Sequence, residues 1–468
     1  MAIDVKTVNS PGWWMAKGVA KLAARLPRLQ LLADYHEGRP PLPFSAQNSS
    51  TFGDAFRRQA CTNMAELIVG SVRERVAIRD IRTSASGDQI DAEAWKIWKD
   101  NGMDVEFSDI LENMLAMGDA YMIVGLDENS KVVMTGEDPR QVVTFHNPAR
   151  QSEVRAAIKM FHDPDVGRDY VYLYVRGGVD EDGTKYNARR FVAYRDRKAR
   201  TLGIVFSAAS FSWDPEMGGA DGEELNHHLV PVVRFRNRRG VGEFEPHLNV
   251  LDRINHTIYN RMVIAVYQAF KQMVIHIDTD EAVDENGQPI DAIPDDILTT
   301  DPGSWIQLPK DSTVWQTAQA DLNGILSATK DDIRFLAAVT RRPLSMFAPD
   351  NESAEGSKAN SEGLTFATED KQTRAAESLT DAFVIAFLSI GDTVRAERSK
   401  IVVSYKPASR FSITDKASAS AQASSVLSKR TTMREVWQMN PEEIDRAEAE
   451  AADELLLTEE LTPPAPVA

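Results

Sequence analysis

The chain has 468 residues, of which 43% are hydrophobic and 26% charged, with a formal net charge of −17. That length is enough to bury a sizeable core in two or three subdomains. The acidic balance excludes a tight nucleic-acid binder, whose affinity comes from Lys and Arg on phosphates, and the single cysteine, Cys61, excludes an intramolecular disulfide and fits a reducing compartment.

Met1 to Asn9 is polar with no apolar run behind it, so no signal peptide is expected. The longest apolar stretch, Ala382 to Ile390, is too short to span a bilayer, and no membrane partner is expected. Trp13, Trp14, Leu22, Leu26 and Leu29 predict a short amphipathic helix that Pro40, Pro41 and Pro43 end. Residues 1–53 therefore read as an N-terminal arm with a solvated helix face, with contact to a partner or DNA as the alternative.

Asp54 to Ile81 reads as one helix, with Phe56, Ala60, Met64, Leu67 and Ile68 on one side. Ile90–Asn101 and Ser108–Gly118 are two more. A β-rich block follows. Tyr121–Leu126 and Lys131–Met134 flank a turn at Asp127–Ser130, a hairpin signal. Further strands are predicted at Gln141–Phe145, Val154–Phe161, Tyr170–Arg176, Phe191–Arg195, Gly203–Phe206 and Pro231–Phe235, with a turn at Asp182-Gly183 and a Gly/acidic loop over Asp214–Glu224.

The order of elements from Glu245 to Arg398 is the most informative feature. Leu251, Ile254, Ile258, Met262, Val266, Phe270 and Met273 recur at helical steps from Pro246 to Ile275. A turn-rich acidic insert follows, Asp278 to Gln319. A returning helix, Asp321 to Arg342, has Asp321 as N-cap and stops at Pro343. Pro349 to Gly363 is a Gly/Ser/Asn loop, and Leu364 to Arg398 a third long helix. Ile401–Tyr405 is a late strand expected to rejoin the first sheet. Thr431–Leu457 is helical and acidic, and the Pro-rich end reads as a disordered tail. An outgoing helix, a small β tip and a returning helix suit a stave of a ring-shaped tube; the alternative is a helical hairpin in a globular core.

Catalytic signatures are scarce. The chain has no G-x-x-x-x-G-K-[ST], H-E-x-x-H, C-x-x-C or G-x-S-x-G segment, so no ATPase, metal site or cofactor is expected. His227-His228 are neighbours, and neighbours on a strand point to opposite faces. Pro349-Asp350 with Glu369-Asp370-Lys371 mimics a metal-dependent nuclease signature, but that chemistry needs adjoining strands, whereas these residues fall in a loop and a helix. The basic strings Arg189, Arg190, Arg195, Arg197, Lys198, Arg200 and Arg234, Arg236, Arg238, Arg239 read as solvent faces and ion pairs, with DNA contact as the alternative.

Four segments carry a family resemblance: Leu111–Phe161 (LENMLAMGDAYMIVGLDENSKV and EDPRQVVTFHNPARQSEVRAAIKMF), VPVVRFRNRRGVGEFEPHLNVLDRINHTIYNRM (Val230–Met262), FLAAVTRRPLSMFAPDNESAEGSKANSEGL (Phe335–Leu364) and SKRTTMREVWQMNPEEIDRAEAEAADE (Ser428–Glu454). In order and spacing the chain resembles the siphophage-type portal proteins of tailed double-stranded DNA bacteriophages. The resemblance implies an α+β portal fold assembled as a ring, a homo-oligomer that in the family's pattern is a dodecamer. It implies an arm (1–53), an α/β wing (54–245), an outgoing stem helix (246–277), a β-rich clip (278–319) and a returning stem helix (320–343). A tunnel loop (344–363), a long helix returning to the wing (364–430), crown helices (431–457) and a tail (458–468) complete it.

The implied role is structural and non-enzymatic: a channel at one capsid vertex of the virion, made in the host bacterial cytoplasm. Double-stranded DNA would be packaged and ejected through it. The implied partners are the terminase motor, the head–tail connector, and the major capsid and scaffolding proteins. Asn351, Ser353, Ser357, Lys358 and Asn360 would contact DNA in the channel, with Lys358 as the positive charge there. Trp305, Ile306 and Trp315 would form the clip interface; the alternative is that the two tryptophans pack the clip's own small core. The competing functions are a metal-dependent nucleic-acid-processing enzyme and a head–tail connector, the latter usually a far shorter chain.

Overall fold

The computed structural model describes residues 3–43, 51–87, 89–179, 182–197, 210–269, 273–276, 313–316, 322–347, 354–409, 412–439 and 441–460. Helices and antiparallel sheets form two compact units. One comprises Met1–Gly38, Asn63–Pro246 and Ala338–Ala468; the other comprises Arg39–Thr62 and His247–Ala337.

The first unit begins with helix α1 (Pro11–His36). Ser10 caps it, its hydroxyl accepting the Trp13 N–H at 3.2 Å, and Pro11 occupies the first turn, where no N–H is needed. The expected arm is in fact core: α1 buries Trp14, Met15, Val19 and Leu22 against the main sheet. Gly18 makes this possible, because a Cβ there would lie 2.5 Å from Ile158.

The single helix expected over 54–81 is three elements: α2 (Thr51–Gln59), α3 (Met64–Arg73) and strand β1 (Ile78–Arg82). Asn63 restarts the helix, its side chain accepting the Glu66 N–H at 3.1 Å. Helices α4 (Ala92–Asp100) and α5 (Met103–Met117) follow, the first capped by Asp91 and the second ended by Gly118 in the left-handed region.

Strands β2 (Asp119–Leu126), β3 (Val132–Glu137), β4 (Val142–His146), β5 (Val154–Asp163) and β6 (Arg168–Val175) match the alternation in the sequence closely. Next come the short strands β7 (Gly178–Val179) and β8 (Lys185–Tyr186), the longer β9 (Arg189–Asp196), and then β10 (Ser212–Trp213), β11 (Glu223–Glu224) and β12 (Val232–Arg236). The main sheet runs β10-β9-β6-β5-β4, with β11 also on β9; a second sheet runs β12-β2-β3. The strand expected at Gly203–Phe206 lies outside the described residues.

Alternation sorts the main sheet's two faces. Ala156, Ile158, Met160, Val171 and Leu173 face α1. Ala157 and Tyr174 face the other way and pack with Tyr121, Val142, Val230 and Val232. The six-stranded sheet is thus covered on one face by a helix and, in part, on the other by the smaller sheet.

The second unit holds α6 (Leu248–Ala269), the strands β13 (Met273–His276) and β14 (Thr313–Gln316), and most of α7 (Leu322–Thr340). The outgoing helix is shorter than expected: it ends at Ala269, and Met273 begins a strand. β13 pairs antiparallel with β14, Val274 opposite Trp315. Arg253 Nη2 on α6 lies 2.7 Å from Asp332 on α7. Asn255 accepts from both the N–H and the hydroxyl of Thr62 at 2.9 Å, and Phe56 on α2 meets Tyr259 edge-on. The expected cap Asp321 lies outside the described residues.

Back in the first unit, α8 (Ala354–Ser389) begins ten residues before the expected Leu364, and its backbone takes in part of the predicted loop. It ends at Ser389 rather than Arg398; Gly391, at φ 80°, makes the turn. Strand β15 (Val402–Tyr405) pairs antiparallel with β1, not with the first sheet as expected. The expected acidic C-terminal block divides into α10 (Lys429–Glu435) and α11 (Pro441–Glu460), preceded by α9 (Ile413–Ala423) with a Ser412–Asp415 capping box.

Candidate channel segments and their buried anchor

Ser357, Lys358 and Asn360 lie on the first turns of α8, so the backbone that carries them is helical rather than looped. Asn351 and Ser353 lie outside the described residues, as do Trp305 and Ile306. Trp315 sits in β14, in register with Val274.

Upstream of these segments the chain builds a cluster that sequence reasoning missed. Glu243 lies in the turn after β12. Its carboxylate is 3.1 Å from Nη2 of Arg342, two residues past the end of α7, and 3.0 Å from Nζ of Lys371 on α8. The side chains of Arg342 and Lys371 are only 2% and 6% exposed; Arg342 depends on this carboxylate, and Lys371 shares it with the more exposed Asp370 at 3.3 Å. Asn237 completes the group: its Nδ2 donates to Glu243 at 3.0 Å, and its Oδ1 accepts from Lys371 at 2.8 Å. Arg342 also donates to the backbone carbonyls of Thr340 and Ile68. Burial opposes ionisation of Glu243, but Lys371, the Asn237 amide and Arg342 together outweigh it and hold its pKa below the ordinary carboxylate value.

The signal was present but local. Leu364, Thr368, Lys371 and Ala375 are all buried and recur at four- and three-residue steps, so a lysine stands inside the apolar stripe of α8. No period, however, connects Lys371 to Glu243 or Arg342.

A second cluster ties α1 to the small sheet. Asp119 receives Arg25 at 2.9 Å and Arg234 at 2.6 Å, and the Tyr121 hydroxyl accepts from Arg25 at 3.0 Å. Beside it Arg28 holds Glu245 and donates to the Gly240 carbonyl at 3.0 Å. The turn from Asn237 to Gly242 lies tight on α5: a Cβ on Gly118 would meet the Gly240 carbonyl oxygen at 2.4 Å, and one on Gly242 the Ala116 carbonyl oxygen at 2.2 Å. The leg into the helical hairpin is therefore fixed by charge and by close backbone contact, and the leg out of it by the contacts of Arg342.

The remaining sequence candidates take structural places. Lys371, part of the nuclease-like string, is engaged by Glu243, and Asp370 pairs with Arg374 at 3.0 Å. His227 is buried, and desolvation pushes its pKa down to about 4, so it is neutral at pH 7. Arg195 pairs with buried Asp169 at 2.8 Å, and Arg190 with Glu223 at 2.5 Å. No group of three or more potential metal ligands occurs among the described residues. Among them, no helix is long and apolar enough to cross a membrane.

The sequence matches the family "Phage portal protein, SPP1 Gp6-like" over residues 18–455, nearly its whole length. The chain belongs to that family. No curated protein matches the sequence. Among solved structures, a chain from the "Neck of empty GTA particle computed with C6 symmetry" is similar at 12% identity and a TM-score of 0.46, covering 83% of this chain and 91% of that one. As a portal-family protein the chain has a structural role, and the mixed helix and sheet described above agrees with the expected α+β class.

Proposed function

We propose that the protein forms a ring whose central channel passes double-stranded DNA at one capsid vertex. One observation supports this beyond family membership: large apolar side chains stand exposed along the helices of the hairpin. Phe335 and Val339, one turn apart on α7, are 61% and 51% exposed, and Val266 on α6 is 45% exposed. Exposed apolar residues at helical spacing suit packing against the same helices of a second copy.

In this reading α6 and α7 are the stem, and the β13–β14 tip with the residues between them is the clip. The clip, with Trp305, Ile306 and Trp315, docks the terminase motor and later the head–tail connector. The start of α8, with Ser357, Lys358 and Asn360, and the neighbouring Asn351 and Ser353, face the DNA path. The body contacts capsid and scaffolding proteins. The work is mechanical and needs no cofactor.

The test is genetic and physical: measure DNA per capsid in cells lacking this chain, then restore it. Heads without DNA that fill on complementation support the function. Heads that fill normally in its absence overturn it.

A further inference from the structure

The first unit contains a cleft of about 960 Å³ between the turn after β4, the strand β12 and the C-terminal half of α8. Its charged lining is mostly basic: Lys21, Arg150, Arg176, Arg234, Arg236 and Arg398 against Glu153 and Asp381. Several arginines elsewhere on this chain meet carboxylates. Arg168 meets Asp196 at 2.8 Å, Arg253 meets Asp332, and Arg395 meets both Asp91 and Asp392.

Of the cleft's six cations, Arg176, Arg234 and Arg398 also meet carboxylates, and three do not. Lys21 donates to the Thr144 carbonyl and lies over the Phe145 ring; Arg236 reaches only the neutral Gln151 amide. Among the described residues, Lys21, Arg150 and Arg236 form no ion pair, although Lys21 feels the Asp119 charge. Arg25 and Arg234, beside them, share the one carboxylate of Asp119. The local field is visible on His146, whose pKa is lowered by burial and further by Arg234, Lys21 and Arg236.

On the same chain, α11 carries the opposite charge. Glu450 and Asp453, three residues apart on one helical face, are exposed and form no ion pair among the described residues. This helix cannot fill its own cleft as folded, because Ile444 is buried and Arg430 of α10 holds Asp445 at 2.8 Å. We propose that the basic cleft receives the acidic face of α11 from a second copy of this chain, so that the two surfaces form one contact between neighbours. The inference rests on the ring reading above. In a chain of net charge −17, a cluster of cations without ion pairs is complementary to carboxylates that a neighbour brings.

The experiment is site-directed crosslinking in the full chain with Cys61→Ser. One sample carries Arg150→Cys and a second Glu450→Cys, and the two are co-assembled under mild oxidation. The expected result is a disulfide-linked pair of chains only when both variants are present. In parallel, Arg150→Glu with Arg236→Glu weakens assembly in native mass spectra, and Glu450→Lys with Asp453→Lys on the same chain restores it. Intact rings without the linked pair overturn this contact and leave the ring standing. Monomers under every condition overturn both. Rings whose cleft binds a short fluorescent DNA duplex, with binding lost in the Arg150→Glu, Arg236→Glu variant and no linked pair formed, assign the cleft to nucleic acid and overturn the proposal.

Discussion

Glu243 and Arg342 are ninety-nine residues apart in the chain and 3.1 Å apart in the fold. Between them the chain runs out through α6, makes its β tip and returns through α7. Their ion pair, shared with Lys371, closes that excursion within one unit. The closure is buried, so it is hard to break and sensitive to the loss of any one member.

Replacing Glu243 with Ala leaves buried Arg342 without its counter-charge and Lys371 with only Asp370, 3.3 Å away at the surface. The expected loss of stability is about 3–5 kcal/mol, the range for removing one partner of a buried pair. Urea unfolding of the variant measures it. Glu243→Gln retains the hydrogen bonds to Asn237 but not the charge, and is expected to fall between the two.

The pH dependence has two parts. The pKa of Glu243 is lowered on folding, so its contribution is present at neutral pH and is lost as the pH falls through its depressed folded value. His227 acts at higher pH. Its folded pKa of about 4 lies below the ordinary 6.5, so the unfolded chain takes up a proton first as pH falls. Between these two values stability declines by about 3 kcal/mol at ~1.4 kcal/mol per unit. Unfolding at stepped pH checks this, and His227→Phe is expected to flatten the slope.

Gly118 tests the backbone contact. It adopts φ 87° and faces the Gly240 carbonyl with no room for a methyl group. Gly118→Ala is expected to cost roughly 1–3 kcal/mol of strain and to displace the turn from α5. A fall in the thermal midpoint of the variant reports it; an unchanged midpoint contradicts the close contact.

The place of α1 can be tested by deletion. An arm is dispensable for folding, but a helix that buries Trp14, Met15, Val19 and Leu22 is not. Removal of residues 1–36 is expected to give insoluble or unfolded chain. Gly18→Val, which forces α1 away from Ile158, is expected to destabilise by roughly 1–3 kcal/mol.

Much of the fold was legible where the signal was local. Strands β5 and β6 show period two on either side of a tight turn, and Pro343 marks the end of α7 within a few residues. The misreadings have physical causes. Ala60 and Met64 keep helical spacing across the Asn63 cap, which hides the break between α2 and α3. Met273 fits the period of α6 although it starts a strand. Gly356 and Gly363 disfavour a helix by only about 1 kcal/mol each, so the rest of α8 can extend through them. β1 is rich in arginine and pairs with a strand more than three hundred residues later, a relation that no local pattern contains. The anchor was hidden for the same reason. Each charge is visible in the sequence, but their meeting is a product of topology.

Lys358→Ala bears on the channel segment at the start of α8. The variant is expected to assemble normally and to alter the DNA content of filled heads. Unchanged packaging would remove Lys358 from the DNA path without affecting the ring.

Native mass spectrometry of the purified full chain, with negative-stain images of the same sample, tests the ring most directly. The account predicts a closed assembly of about twelve chains of 52.0 kDa each, with a central hole and loosened by polar substitution of Phe335 and Val339. A dimer that cuts DNA with a divalent metal would contradict it.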